Sequence, residues 1–489
     1  MSKIVKSRIH KRFGLYMATS LIAVCVYLPG ITNSLLADDW SVIVRNMDLS
    51  SQDALARFYS TFAGWYRPMF DVLMNLCFQI FGFKATGYHL VALFLYIAIT
   101  YLVGDIAETI TGKRSIGLIS SLLFGIHSVH AEPVLWVSSM NELLAGLFVL
   151  LSLKSYIAFR GSDKPILNYC LTGLFYILGL ASKETALFLP IMFVGYDFFL
   201  WSGIRSKTNR IDWRILLNVP FVIIQIIYLA FRLQAGSPYS TQVSLLRVVI
   251  NGLYYFAVQV LMLPENYGYL SSLSLWRQAP LLPVLSVGIS AAIMGMFVWF
   301  YIRFSSRRIS PDYIKASKFT CAWSLVALSP VILTATGRTA FMSSIGVVWT
   351  MAIFLFAIWD KIKISDTVYK KVFVTGGVVF ICINLVISSY RVYWWRQASE
   401  VTQNVIYQLD NELRIIPKGK EICLIGLPDH LHHAYTFRNA FPYIGQILYS
   451  DYRIQVTLDT EFSNLPESSQ NCVMYQYKGN MLERLDNAY

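Results

Sequence analysis

Ionisable side chains are scarce in this chain, and a few of them stand in combinations that could do chemistry. Asp38 and Asp39 are adjacent, Arg67 precedes Pro68, and His127, His130 and Glu132 fall close together. Glu142 follows, Lys183 and Glu184 are neighbours, and Arg338 sits between Gly337 and Thr339. A carboxylate beside a hydroxyl can take its proton as the hydroxyl attacks, worth roughly 10²–10⁴-fold in rate. Arginine can hold a phosphate bidentately and lysine as a point charge, and both stabilise the charge that grows on a departing phosphate. Together these residue types suit transfer of a sugar from a lipid phosphate to a hydroxyl. Plainer readings stand beside each. Asp38 and Asp39 could end a helix, Arg67-Pro68 could be a capped turn, and Lys183 could pair with Glu184. Glu142 could bond a neighbouring helix. His127 and His130 share a helix face at a spacing of three; packing, lining of a polar site and metal ligation all stay open for them. No third and fourth ligand is evident, so no metal ligand is assigned and no cofactor is certain, with a divalent metal the one candidate.

The elements that must position these residues follow from composition. The chain has 489 residues, 56% of them hydrophobic and only 14% charged, against roughly 25% charged in soluble proteins. That excludes a soluble enzyme, and the abundance of aliphatic and aromatic residues excludes disorder. The apolar runs are long and unbroken rather than alternating, which excludes an outer-membrane barrel. The fold class is an all-α polytopic membrane protein. Runs long enough to cross, roughly 17–25 residues, lie at 13–36, 88–110, 115–131, 134–158, 166–181, 184–201, 213–231, 280–302, 317–334, 340–359 and 372–390, about eleven spans. With the N-terminus inside, the segments 3–12, 113–114, 160–164, 205–214, 303–318 and 361–371 carry more than twice the Lys and Arg of the outer loops before residue 391, as the positive-inside rule requires. This bias also accounts for the formal net charge of +13 without a nucleic-acid partner. The apolar stretches 68–83 and 245–263 would invert the later loops if they crossed, so they are expected to be helices lying on the outer face.

In this topology the acids, histidines and cations named above gather on the outer rim. Charges near the membrane cost roughly 2.5–3.5 kcal/mol each on insertion scales, so their concentration on one side points to a site. A carrier would instead need polar groups near mid-membrane on broken helices; a transporter or lipid or polysaccharide flippase is the alternative, kept open by Pro190, Pro220 and Pro330 inside spans. The expected organisation is a basic inner tail over 1–12, a transmembrane unit over 13–390 and a small outer α/β domain over 391–489. Within the unit, loop 37–87 carries the chemistry and 232–279 forms an outer-face loop and helix. Short β-like runs such as Ile422-Cys423-Leu424-Ile425 mark the tail. Cys423 and Cys472 both fall there, and their pairing is left open by sequence.

At the rim the chain resembles a known family. Leu36-Ala37-Asp38-Asp39-Trp40 followed by Asn46 is similar to the first outer loop of the GT-C polyprenyl-phosphate-sugar glycosyltransferases. Tyr66-Arg67-Pro68, His127-Ser128-Val129-His130-Ala131-Glu132-Pro133 and Ser182-Lys183-Glu184-Thr185 resemble the branch that includes the TPR-bearing transmembrane O-mannosyltransferases and bacterial aminoarabinose-transferase-like relatives, of family 39 type. So does the turn from Gly337 to Gly346, and so does Arg391 with Trp394 or Trp395. The chain departs from that branch at Ser139, Met140 and Gly337, where the branch carries Glu or Arg. The resemblance implies an inverting transfer from a polyprenyl-phosphate-linked sugar to a hydroxyl on a protein, lipid or glycan acceptor. It implies Asp38 as base with Asp39 supporting, and Arg67, His127, His130, Glu132, Glu142, Lys183, Glu184 and Arg338 around the donor phosphate and substrate. Membrane lipid is the other expected partner. The expected location is a prokaryotic plasma membrane with the site on the outer or periplasmic face.

Overall fold

A computed structural model gives the architecture. It describes residues 3–48, 50, 53, 56–58, 66–161, 164–201, 213–234, 244–260, 310–333, 336–362, 367–458 and 472–485. The stretch 280–302, positions 205–212 of the basic segment and most of 232–279 lie outside the described residues.

Helices α1 (Lys3–Val24), α4 (Ala85–Thr111), α7 (Met140–Gly161), α8 (Pro165–Ser182), α10 (Val219–Gln234), α13 (Phe341–Ile362) and α14 (Thr367–Leu413) form the bundle. Among the described residues seven helical segments are long and apolar enough to cross a membrane, or up to eight with the bent pair Arg114–Gly125 and Ser128–Leu135 counted as one. The chain is a multi-pass membrane protein. Each expected crossing within the described residues contains helix. Those at 184–201 and 317–334 are shorter than a full span, at 11 residues for α9 (Leu189–Phe199) and 16 for α12 (Pro311–Val326). Short helices occupy the two stretches expected not to cross: α3 (Pro68–Phe81) has 14 residues and α11 (Leu245–Val260) has 16.

Without a hydrophobic drive between helices in lipid, close packing needs small residues. Helix α5 (Arg114–Gly125) meets α4 where a Cβ on Gly117 would fall 2.6 Å from the carbonyl of Gly104. Likewise a Cβ on Gly346 of α13 would fall 2.6 Å from the carbonyl of Thr320 on α12. Helix α14 has 47 residues and continues beyond the bundle.

The tail is the small α/β domain expected. Strands β1 (Glu421–Leu427), β4 (Arg453–Leu458), β5 (Cys472–Lys478) and β6 (Met481–Leu485) form a sheet in the order β4-β1-β5-β6. Strand β1 is parallel to both neighbours and β6 is antiparallel to β5. A two-residue-per-strand hairpin joins β2 (His430–Leu431) to β3 (Ala434–Tyr435), and α15 (Phe441–Leu448) packs beside β4. Cys423 and Cys472 are disulfide-bonded across β1 and β5. The far half of α14 holds this sheet: Tyr475 donates to Glu412 at 2.8 Å, Tyr449 to Asp410 at 2.7 Å, and the Leu482 amide to Gln408 at 2.7 Å.

Candidate active site

The loop after α1 enters α2 (Asp38–Asn46) through Ala37, whose φ of 44° and ψ of −119° are unusual for a residue with a Cβ. Such a backbone costs of order 1–3 kcal/mol and persists where its surroundings fix it. Here the Ala37 amide donates to the carbonyl of Thr436 at 2.8 Å, which ties the loop to the tail domain. The two acids that follow then have different fates. Asp39 is fully buried and accepts from the Leu36 amide at 2.9 Å and from the amide and hydroxyl of Ser138, both at 2.7 Å. Burial pushes its carboxyl up to about 7, against the pull of those donors. Asp38 is half-buried, and one of its oxygens accepts from the Asn439 side chain at 2.9 Å. The adjacent positions point apart, as sequence spacing requires.

Three cations face three acids across separate loops. Arg67 caps α3 immediately before Pro68, the first residue of that helix, where a proline is well placed. Its guanidinium grips Glu184 with two bonds, of 2.7 and 3.2 Å. Burial would raise Glu184, but Arg67 and Lys183 outweigh it and hold the carboxyl at about 2. Lys183 is extended at the C-terminus of α8, so its side chain leaves the helix axis and reaches Glu142, in the first turn of α7, at 2.6 Å. Asn141 accepts from the same ammonium at 3.2 Å, and Thr185 donates to Glu142 at 3.2 Å. Burial lowers Lys183, with Glu142 opposing it. Arg338 lies at the start of the helical run into α13, and its backbone amide donates to Glu132 at 3.0 Å. Its guanidinium is 3.6 Å from Glu132, longer than a hydrogen bond, and sits 4.8 Å over the Trp136 ring. Its side chain is 25% exposed, against 6% for Lys183.

These pairs form one electrostatic group. Lys183 feels the charges of Arg67, Glu184 and Arg338 as well as Glu142. Arg338 feels Glu132, Glu142 and Asp38, and Arg438 also acts on Asp38. Seven of the expected site residues therefore converge with Asp39 beneath them. His127 and His130 stand behind the group as fully buried hydrogen-bonding side chains. His127 accepts from the Val129 amide at 3.2 Å and lies 2.9 Å from the Gln259 carbonyl. His130 lies 2.7 Å from the Tyr96 hydroxyl and 2.8 Å from that of Ser344. They fix the turn that carries Glu132. Among the described residues no group of three or more His, Cys, Asp or Glu could hold a metal.

Ser138, Trp136 and the tail residues of the group carry no sequence signal, whereas Arg391 and Trp395 do. Ser138 clamps Asp39. Trp136 stacks against Trp395 at 6.1 Å and meets Tyr435 in a tilted contact at 4.9 Å. Arg391 is fully buried in α14 and donates to the Ser128 carbonyl at 2.8 Å. Arg391 and Trp395 share a helix face at a spacing of four, which the Arg-x-x-x-Trp pattern hinted at. Trp395 is core, and only Trp394 of the pair is part-exposed. The tail supplies Tyr435, Arg438 and Asn439, from positions about 400 residues away from the first loop.

Comparison with known proteins follows the same lines. No protein-family profile matches the chain. Over 206 residues it is 27% identical to protein O-mannosyl-transferase TMTC2 of Mus musculus, a stretch covering 39% of this chain and 25% of that protein. The chain is also 27% identical over 190 residues to protein O-mannosyl-transferase TMTC4 of Homo sapiens, a stretch covering 34% of this chain and 26% of that protein. The chain spans about a quarter of the length of the curated relatives it matches. Among solved structures, the oligosaccharyltransferase AglB of Archaeoglobus fulgidus, in complex with an inhibitory peptide and a dolichol-phosphate, aligns at a TM-score of 0.47 with 11% identity, over 89% of this chain and 65% of that one. ArnT of Cupriavidus metallidurans, bound to undecaprenyl phosphate, aligns at 0.35 with 11% identity, over 94% of this chain and 92% of that one.

Proposed function

We propose that the chain is an integral-membrane glycosyltransferase that moves a sugar from a polyprenyl-phosphate donor to a hydroxyl acceptor at the outer face. Asp38 is the general base. It takes the proton of the acceptor hydroxyl as that oxygen bonds to the anomeric carbon. The bond from that carbon to the phosphate oxygen breaks on the opposite side, polyprenyl phosphate leaves with the electron pair, and the configuration inverts. Arg338 is the leading phosphate contact, because its guanidinium is part-exposed and its contact to Glu132 is long. Arg67 is held bidentately by Glu184 and orients the same corner. Lys183 is sealed against Glu142 and acts through its charge. Asp39 holds the loop rather than touching the acceptor.

The observation that carries this reading is the convergence of a half-exposed carboxylate and a part-exposed arginine on one rim, each braced by buried partners. The name of the mouse relative supports sugar transfer, and the quoted motifs support a lipid-phosphate donor. The disulfide in the tail supports an outer face, since such bonds persist in oxidising compartments.

The test is transfer of labelled mannose from polyprenyl-phosphate mannose by membranes carrying the full chain. Asp38→Asn should lower turnover roughly 10²–10⁴-fold while the protein stays folded. Turnover at the wild-type level in that variant overturns the assignment of the base.

A further inference from the structure

The tail domain meets the first loop at three points. The Ala37 amide bonds to the carbonyl of Thr436, the Asn439 side chain bonds to Asp38, and Arg438 acts on Asp38 through its charge. The segment that makes these contacts is rigid at its base. Thr436, Phe437 and Ala440 are buried, the Thr436 amide donates to the Asp429 carbonyl at 3.0 Å, and its hydroxyl donates to the Pro428 carbonyl. Arg438 and Asn439 project from that base, are themselves exposed, and line a cleft of about 520 Å³ shared with Ser41 of α2 and with Tyr443 of α15.

We infer that Asn439 is a positioning residue for the reaction: by donating its amide to one oxygen of Asp38, it turns the other oxygen to face the acceptor hydroxyl. This rests on the reading of Asp38 as base. A carboxylate on a short helix can rotate about its two side-chain torsions, and a base that is misaligned loses rate even when its substrate is bound. Asp39 needs no such help, because three donors already fix it. The tail is therefore part of the catalytic apparatus, and its sheet serves to hold a loop against a residue about 400 positions earlier in the chain. The chemistry asked of position 439 is a hydrogen-bond donor. An ionised carboxylate there would accept only and would face Asp38 with like charge.

The experiment uses the full chain in membranes and mannose transfer from polyprenyl-phosphate mannose, with Asp38→Asn as the control. Asn439→Ala should lower kcat roughly 10–100-fold, the loss of one hydrogen bond to a charged group, with the KM for donor and acceptor little changed. Asn439→Asp should fall further at pH 8 and recover toward or above the alanine variant as the pH drops to about 5, because a protonated carboxyl can donate again. Wild-type kcat in both variants while Asp38→Asn is inactive overturns the inference alone. A rise in acceptor KM with kcat intact also overturns it, making Asn439 an acceptor contact. A fall in both variants without any pH recovery in Asn439→Asp, matched by loss of folded protein, overturns it in favour of a structural role. An active Asp38→Asn, or a wild-type chain without turnover, removes the functional reading and the inference with it.

Discussion

Two clusters of charge occupy opposite ends of α7, and they are built differently. At the rim, Glu142 begins the helix, and its neighbours are ion pairs whose outer members stay part-exposed, such as Arg338. At the far end, eighteen residues on and so roughly 27 Å away, Arg160 meets Asp197 of α9 with side chains only 3% and 0% exposed. Tyr156 donates to Asp197 at 2.6 Å, Asn218 does so at 3.4 Å, and the guanidinium lies 4.5 Å from the Trp201 ring. The far cluster is closed on every side and ties three helices together. The rim cluster has the same ingredients but leaves donor capacity and surface to spare. In a chain with so few charges, closure separates a latch from a site.

That contrast can be broken from either side. The largest effect is expected at the latch. Asp197→Ala leaves Arg160 buried without its counter-charge, which costs roughly 3–5 kcal/mol. Thermal unfolding in detergent should show the loss, and an unchanged melting temperature would mean the cluster is not a latch. At the rim, Arg338→Ala should lower transfer roughly 10²–10³-fold, the range for removing one donor to a developing oxyanion. The melting temperature should move little, and activity near wild type would remove Arg338 from the phosphate. Asp39 sharpens the comparison through pH. Its folded-state carboxyl is raised to about 7 from an ordinary 3.8, so between about pH 4 and pH 7 the folded protein binds the extra proton and stability falls as pH rises. Asp39→Asn should flatten that slope in unfolding curves taken across the range. A slope that survives the substitution would place its origin elsewhere. The smallest effect belongs to Lys418 and Asp451 of the tail, an ion pair of 2.7 Å whose side chains are 77% and 52% exposed. Lys418→Ala should leave the melting temperature almost unchanged, because solvent screens such a pair, and a clear loss would show that exposure is a poor guide to what a pair contributes here.

Much of this was readable in the chain, and the limits are instructive. Hydropathy and the lysine–arginine bias reveal where helices lie and which ends share a side, because both are one-dimensional properties. They brought Asp38, Arg67, Glu132, Glu142, Lys183, Glu184 and Arg338 to one rim. Pairing is another matter. That Lys183 takes Glu142 rather than its neighbour Glu184 depends on the extended backbone at the end of α8 and on the rotation of α7, which no spacing reveals. The resemblance already implied different roles for Asp38 and Asp39, but their surroundings were hidden, since these turn on Ser138 and Asn439, one about a hundred residues away and the other about four hundred. Arg160 read as a basic inner loop residue because its partner Asp197 lies inside a different apolar run. The tail announced its strands through short β-like runs and its cysteines through their shared setting, yet nothing in its composition tied it to the first loop.

Helix α14 is one unbroken rod of 47 residues, roughly 70 Å long and more than twice the hydrocarbon thickness of a bilayer. Its lower half is anchored among the spans and its upper half is fastened to the sheet. It therefore works as a ruler that sets both the height and the heading of Asn439. A single residue inserted between Arg391 and Asn404 would lift the sheet by about 1.5 Å and swing it through about 100°. The length of this stretch is consequently a dimension of the site itself, as binding as the identity of any side chain in it.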